Sequence, residues 1–207
     1  MDKTKKFFAV NEKNWGHRWG YKDSAFVSKG DKTVSLTGNR YEICAKNLPG
    51  LIPFAEDVLG IKVLPNPQIK EVEKKYVANQ KLNQPFMDDL VSVFDEDRFS
   101  SSDKERLLHS HGQTTSDEVY KVLYSKLETF TDLVFYIESE EEAKTLISLA
   151  KKHDVCLVPY GGGTSVSNAL KIPKNEKRMV VSVDTRRMNE IESVDEENLL
   201  ATVQCGV

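Results

Sequence analysis

The sequence predicts an α+β protein, with a largely helical first part leading into an α/β unit. Apolar residues recur at helical spacing in several segments between residues 51 and 152, and turn or capping residues bound them. A continuous apolar run, Leu133–Ile137, is followed by an amphipathic segment and then by a second apolar run, Val155–Val158. That second run leads into Gly161-Gly162-Gly163 and small hydroxyl residues.

Residues 14–43 scatter Trp15, Trp19, Tyr21, Phe26 and Tyr41 among polar residues, with turn signals at Lys29-Gly30-Asp31 and Thr37-Gly38-Asn39. Between those turns Thr33–Thr37 alternates like a short strand. Leu51–Leu59 reads as a short amphipathic helix stopped by Gly60. Leu64–Pro85 is polar, carries three prolines and reads as a linker. Phe86–Phe94 spaces Phe86, Leu90, Val91 and Phe94 for a helix. Ser102-Asp103-Lys104-Glu105 has the form of a capping box, and His111-Gly112 would end the helix it starts. Ser116–Leu127 is a further helix, with Val119, Val122 and Leu123 on one face.

Near Thr131 the pattern changes. Leu133–Ile137 is a buried strand, and Ser139-Glu140-Glu141-Glu142 is a second capping box. Ala143, Leu146, Ile147 and Ala150 follow at helical spacing, with Lys151, Lys152 and His153 at the negative end of the helix dipole. Val155–Val158 is the next strand, which makes a βαβ unit. Met179–Val183 is a third strand, and Ile191–Val194 with Leu199–Val203 forms a hairpin around Asp195–Asn198. The organisation is therefore an N-terminal region over 1–126, with an aromatic and strand segment and helices, and a truncated α/β domain over 127–207.

The chain has 207 residues, 39% hydrophobic and 29% charged, enough for a real core. A net charge of −3 gives no reason to propose nucleic acid as a partner. Three scattered cysteines, Cys44, Cys156 and Cys205, do not make a disulfide framework, and Cys156 reads as a buried free thiol in a reducing compartment. No apolar run approaches the roughly 20 residues of a membrane-spanning helix.

The stretch Val158–Ser167 carries the chemistry. Glycines without side chains let a ligand approach the backbone, and successive N–H groups can then point one way, as a phosphate or pyrophosphate requires. A Walker A loop needs a lysine after its glycines, but Thr164 and Ser165 stand there. A dinucleotide loop should open a long helix, and Pro173 arrives too soon for one. Ser165 lacks the following glycine of a hydrolase nucleophile elbow. His109 and His111 have no cysteine near them for a metal site. His111 and His153 read as hydrogen-bonding or capping residues at helix ends, and Trp15 and Trp19 as packing anchors.

A βαβ unit followed by Pro-x-Gly-Gly-Gly-Thr-Ser-Val resembles the FAD-binding (PCMH-type) domain of the vanillyl-alcohol-oxidase superfamily. Further strings narrow the resemblance to the alkyldihydroxyacetonephosphate synthase family: Trp19-Gly20-Tyr21-x-Asp23-Ser24-x-Phe26, Leu36-Thr37-Gly38-x-Arg40-Tyr41, Ser110-His111-Gly112 and Val183-Asp184-Thr185-x-x-Met188-Asn189. This chain has Gln113, Thr131 and Tyr136-Ile137 where the family pattern has histidine, proline and Trp-Pro. The resemblance implies FAD as cofactor, bound at Pro159, Tyr160, Gly161, Gly162, Gly163, Thr164 and Ser165. It implies exchange of the acyl chain of acyl-dihydroxyacetone phosphate for a long-chain fatty alcohol, with the flavin carrying the chemistry. It also implies a homodimer at a membrane surface, in a peroxisome or related organelle. The family's catalytic residues lie beyond Val207, so none is expected in this chain, which reads as the first portion of a much longer enzyme and is expected to be inactive alone. The competing readings are a hydroxy-acid oxidoreductase of the D-lactate or glycolate type and a non-catalytic interaction module.

Overall fold

The computed structural model describes residues 20, 21, 23–63 and 77–207. The expectations for Trp15, Trp19 and the linker at 64–76 lie outside these residues. Three strands, β1 (Phe26–Gly30), β2 (Thr33–Leu36) and β3 (Asn47–Leu48), form a small antiparallel sheet. Two of the sequence strings that specify the resemblance interlock beside it. The Thr37 hydroxyl donates to the Asp23 carbonyl at 2.9 Å and accepts from the Ala25 amide at 2.8 Å. Gly38 has φ +84°, and a Cβ there would meet the Asp23 carbonyl at 2.8 Å. Arg40 stacks 3.7 Å from the centre of the Tyr21 ring.

Helix α1 (Leu51–Leu59) ends, as its glycine predicts, on Gly60 in the left-handed region. Helix α2 spans Gln84–Val93, so Pro85 sits in its first turn, where the missing N–H costs nothing, and does not belong to the linker. The Asn83 side chain caps it by accepting from the Phe86 amide. Helix α3 (Asp103–Leu108) follows the short strand β4 (Phe99–Ser100) and stops at His109, before the expected Gly112. Helix α4 runs Ser116–Tyr124, with Val122 buried.

Only half of each predicted capping box forms. Ser102 and Ser139 accept from the amides of Glu105 and Glu142. The return bonds are lost to stronger or nearer partners. Glu105 takes the Tyr136 hydroxyl, while Glu142 takes the Glu138 amide and Arg98.

The main sheet has the order β4-β5-β7-β6, with β5 at Leu133–Tyr136, β6 at Cys156–Tyr160 and β7 at Val180–Asp184. β5 and β6, joined by α5 (Glu140–Lys152), are parallel but not neighbours, because β7 inserts between them and pairs with both. The predicted second strand is thus displaced along the chain and placed at a sheet edge. It is half-buried, and Cys156 is a half-buried free thiol rather than a core residue. α2 and α5 cover one face of this sheet, where Phe86, Leu90, Leu133, Phe135, Leu146 and Val181 form the core. Burying each such side chain contributes about 1.5–3 kcal/mol.

Two departures from the family pattern have a physical account here. The Thr131 amide donates to the Ser110 hydroxyl at 2.9 Å, and the Ile137 amide to the Asp184 carbonyl at 3.0 Å. A proline at either position would remove the donor. The hairpin β8 (Ile191–Asp195) and β9 (Leu200–Val203) forms as predicted.

Candidate functional site

The parallel register aligns three side chains at the carboxyl ends of the strands. Tyr136 and Tyr160 are both register partners of Asp184. Asp184 is fully buried and accepts from His109 Nε2 at 2.8 Å, from the Arg186 amide at 2.9 Å and from the Arg186 guanidinium. Burial raises the carboxyl's pKa, but the hydrogen bonds from His109 and Arg186 outweigh it and hold it below its ordinary value. Burial likewise works against Arg186, and Asp184 overcomes it, raising the guanidinium. The Tyr160 ring packs 4.3 Å from the His109 ring, and burial pushes its phenol up to about 12. Tyr160 is therefore a neutral, buried floor.

The glycine loop rests on that floor. Gly163 has φ +68°, and a Cβ there would meet the Tyr160 phenol oxygen at 2.3 Å. Gly162 faces open space, with nothing within 4 Å of where its Cβ would stand. No helix follows before β7, as Pro173 predicts. The loop instead turns back through Ser165 and Asn168, both at positive φ. Ser165, expected as a ligand donor, uses its hydroxyl to accept from the Leu170 amide at 3.1 Å, and its carbonyl accepts from Asn168. An open concavity of about 430 Å³ results, lined by Pro159, the loop from Gly161 to Ser167, and Leu170. Its lining holds no carboxylate.

The direction of the loop's polar groups is the central observation. Successive carbonyls, those of Gly163, Thr164 and Ser165, accept from the Gln113 amide at 2.7 Å, the Thr114 hydroxyl at 2.8 Å and the Thr115 hydroxyl at 3.3 Å. The amides of Gly161–Ser167, in turn, donate no hydrogen bond to the described residues. A row of free N–H groups in a carboxylate-free concavity fits an anionic group such as a pyrophosphate. Among the expected residues, Pro159 and Gly161–Ser165 line this surface, whereas the Tyr160 side chain lies beneath it.

Sequence reasoning passed over the supporting residues. His109, dismissed as a metal ligand, is a buried partner of Asp184, and its other ring nitrogen lies 2.7 Å from the Glu105 carbonyl. His111 is buried, with Nδ1 facing the Gly112 carbonyl at 3.1 Å, and burial lowers its pKa, so it is neutral. His153 caps α5 and also reaches Asp89 at 2.6 Å. The one signal for the buried network was the apolar strand ending in Asp184 with Arg186 two residues on. No group of residues suited to a metal occurs among the described residues.

Residues 131–207 match the FAD binding domain family. The chain is 34% identical over 198 residues to an alkyldihydroxyacetonephosphate synthase of Caenorhabditis elegans, covering 91% of this chain and 31% of that protein. It is 30% identical over 214 residues to one of Trypanosoma brucei brucei, covering 100% of this chain and 34% of the relative. A solved structure of an alkyldihydroxyacetonephosphate synthase superposes with a TM-score of 0.76 at 26% identity, over 96% of this chain and 37% of that one. The chain spans about a third of the length of the relatives it matches. Residues 131–207 thus carry FAD-binding domain sequence, FAD is the cofactor this match indicates, and the whole chain is similar to about a third of an alkyldihydroxyacetonephosphate synthase.

Proposed function

We propose that the full-length protein is an FAD-dependent enzyme of ether-lipid synthesis, and that this chain supplies its hold on the FAD pyrophosphate. In the reaction, acyl-dihydroxyacetone phosphate and a long-chain fatty alcohol give alkyl-dihydroxyacetone phosphate and a free fatty acid. The row of amides from Gly161 to Ser167, which donate to none of the described residues, supports the cofactor role. The likeness to the synthases over both the FAD-binding part and the N-terminal strings supports the reaction.

When bound, the flavin supplies the reactive centre, while the protein positions it. Pro159 and Gly161–Ser165 would line the pyrophosphate, with Gly162 leaving room for close approach. Tyr160, His109, Asp184 and Arg186 form the rigid support beneath. None of these groups is assigned a bond-making role.

The same reading makes the protein a homodimer at a membrane surface, in a peroxisome or related organelle. Purified full-length protein should be yellow. It should transfer a radiolabelled fatty alcohol into alkyl-dihydroxyacetone phosphate, release fatty acid and consume no oxygen. Hydrogen peroxide formed from a hydroxy acid would overturn the proposal in favour of an oxidoreductase. Protein isolated without flavin and unable to take it up would overturn it in favour of an interaction module.

A further inference from the structure

We infer that Gly112–Thr115 is a positioning strap that sets the direction of the glycine-loop amides, with the hydroxyls of Thr114 and Thr115 as its working groups. The inference rests on the loop being the FAD pyrophosphate site.

The strap is anchored at both ends. At its start the Gly112 amide donates to the buried Glu118 carboxylate at 2.7 Å. At its end Thr115 is the N-cap residue of α4, which also carries Glu118. One short helix thus fixes both ends of a four-residue segment. Between them Gln113, Thr114 and Thr115 take the carbonyls of Gly163, Thr164 and Ser165, residue for residue. The approach is so close that a Cβ on Gly112 would stand 2.8 Å from the Ser165 Cβ. The Gln113 side chain also reaches the Tyr160 hydroxyl at 3.4 Å, so the strap touches both loop and floor.

A peptide plane carries its carbonyl and the next amide on opposite sides. Pinning three successive carbonyls toward the strap therefore commits the following amides, from Thr164 to Val166, to the concavity. A free glycine-rich loop would rotate these planes, since glycine opposes little of that motion. Each strap bond lowers the ordering cost of binding by removing those alternatives before the ligand arrives.

Thr114→Val and Thr115→Val remove the hydroxyls with little change of shape, and Thr→Ser keeps them. Apo full-length protein would be titrated with FAD and followed by flavin fluorescence. The double valine variant should bind FAD about tenfold more weakly, the scale of one to two lost hydrogen bonds. The double serine variant should match the wild type, and all three should share one thermal midpoint without FAD. Unchanged affinity in the valine variant would overturn the strap, as would equal losses in the serine and valine variants. A midpoint that falls in step with affinity would assign the threonines to stability alone and also overturn it. Gly162→Val separates this failure from failure of the site. If Gly162→Val binds FAD as well as the wild type, the pyrophosphate assignment is wrong. If it loses FAD while the valine variants keep it, only the strap is wrong.

Discussion

Neighbouring glycines in the loop should respond very unequally to the same substitution. At Gly163 a new Cβ would stand 2.3 Å from the Tyr160 phenol oxygen, 2.5 Å from its Cζ and 3.0 Å from its Cε2. Tyr160 cannot withdraw, because it is 3% exposed and packed on His109. Alanine at φ +68° costs about 1–2 kcal/mol in backbone strain, and overpacking adds roughly 1–3 kcal/mol. Gly163→Ala should therefore destabilise the fold by about 2–5 kcal/mol. Gly162 has open space and no positive φ, so Gly162→Ala should change stability by roughly 0.5 kcal/mol or less. Equilibrium denaturant unfolding of the apo full-length protein, variant against wild type, measures both. Tyr160→Phe removes the closest atom and should return part of the Gly163→Ala loss. Equal stabilities for Gly162→Ala and Gly163→Ala would refute the packing of the loop on Tyr160.

Other consequences are as direct. Gly162→Val should leave the apo fold intact and abolish FAD retention, read as flavin released per mole of purified protein; unchanged flavin content would remove the loop from the site. Asp184→Asn should cost about 3–5 kcal/mol, because it leaves the buried cationic side of the network uncompensated; a loss under 1 kcal/mol in denaturant unfolding would contradict that. The Asp184 carboxyl also makes stability depend on pH. Its folded pKa lies below its ordinary 3.8, so the unfolded chain takes up the proton first. The contribution is complete above roughly pH 5 and fades as pH falls through the folded value. An acid unfolding curve of Asp184→Asn should be flatter than that of the wild type in this range. Thr131→Val removes a buried hydroxyl that donates to the Leu133 carbonyl and accepts from the Ser182 amide. It should cost about 1–3 kcal/mol, measured in the same way.

The elements and the glycine loop were legible in the sequence because each rests on local signals. Apolar spacing, Ser102 and Ser139 before helices, and Gly60 after one all act within a few residues. The partners were not legible. Asp184 meets Tyr136 and Tyr160 only because β7 enters between β5 and β6, a choice of neighbour that strand patterning does not encode. The strap escaped notice for the same reason. Thr114 and Thr115 look like ordinary polar loop residues until a contact across fifty positions brings them to Thr164 and Ser165. The half-made capping boxes show the reverse error. A locally complete motif lost its second bond once tertiary structure offered Glu105 the Tyr136 hydroxyl and Glu142 an arginine.

The insertion of β7 bears on the order of assembly. β5 and β6 share no hydrogen bonds, so neither can fix the other before residues 180–184 arrive. β6 has β7 as its one hydrogen-bonded neighbour in the sheet, and Tyr160 at its end, which seats the loop, is a register partner of Asp184. The seat of the loop therefore depends on residues 180–184 as much as on the loop's own glycines.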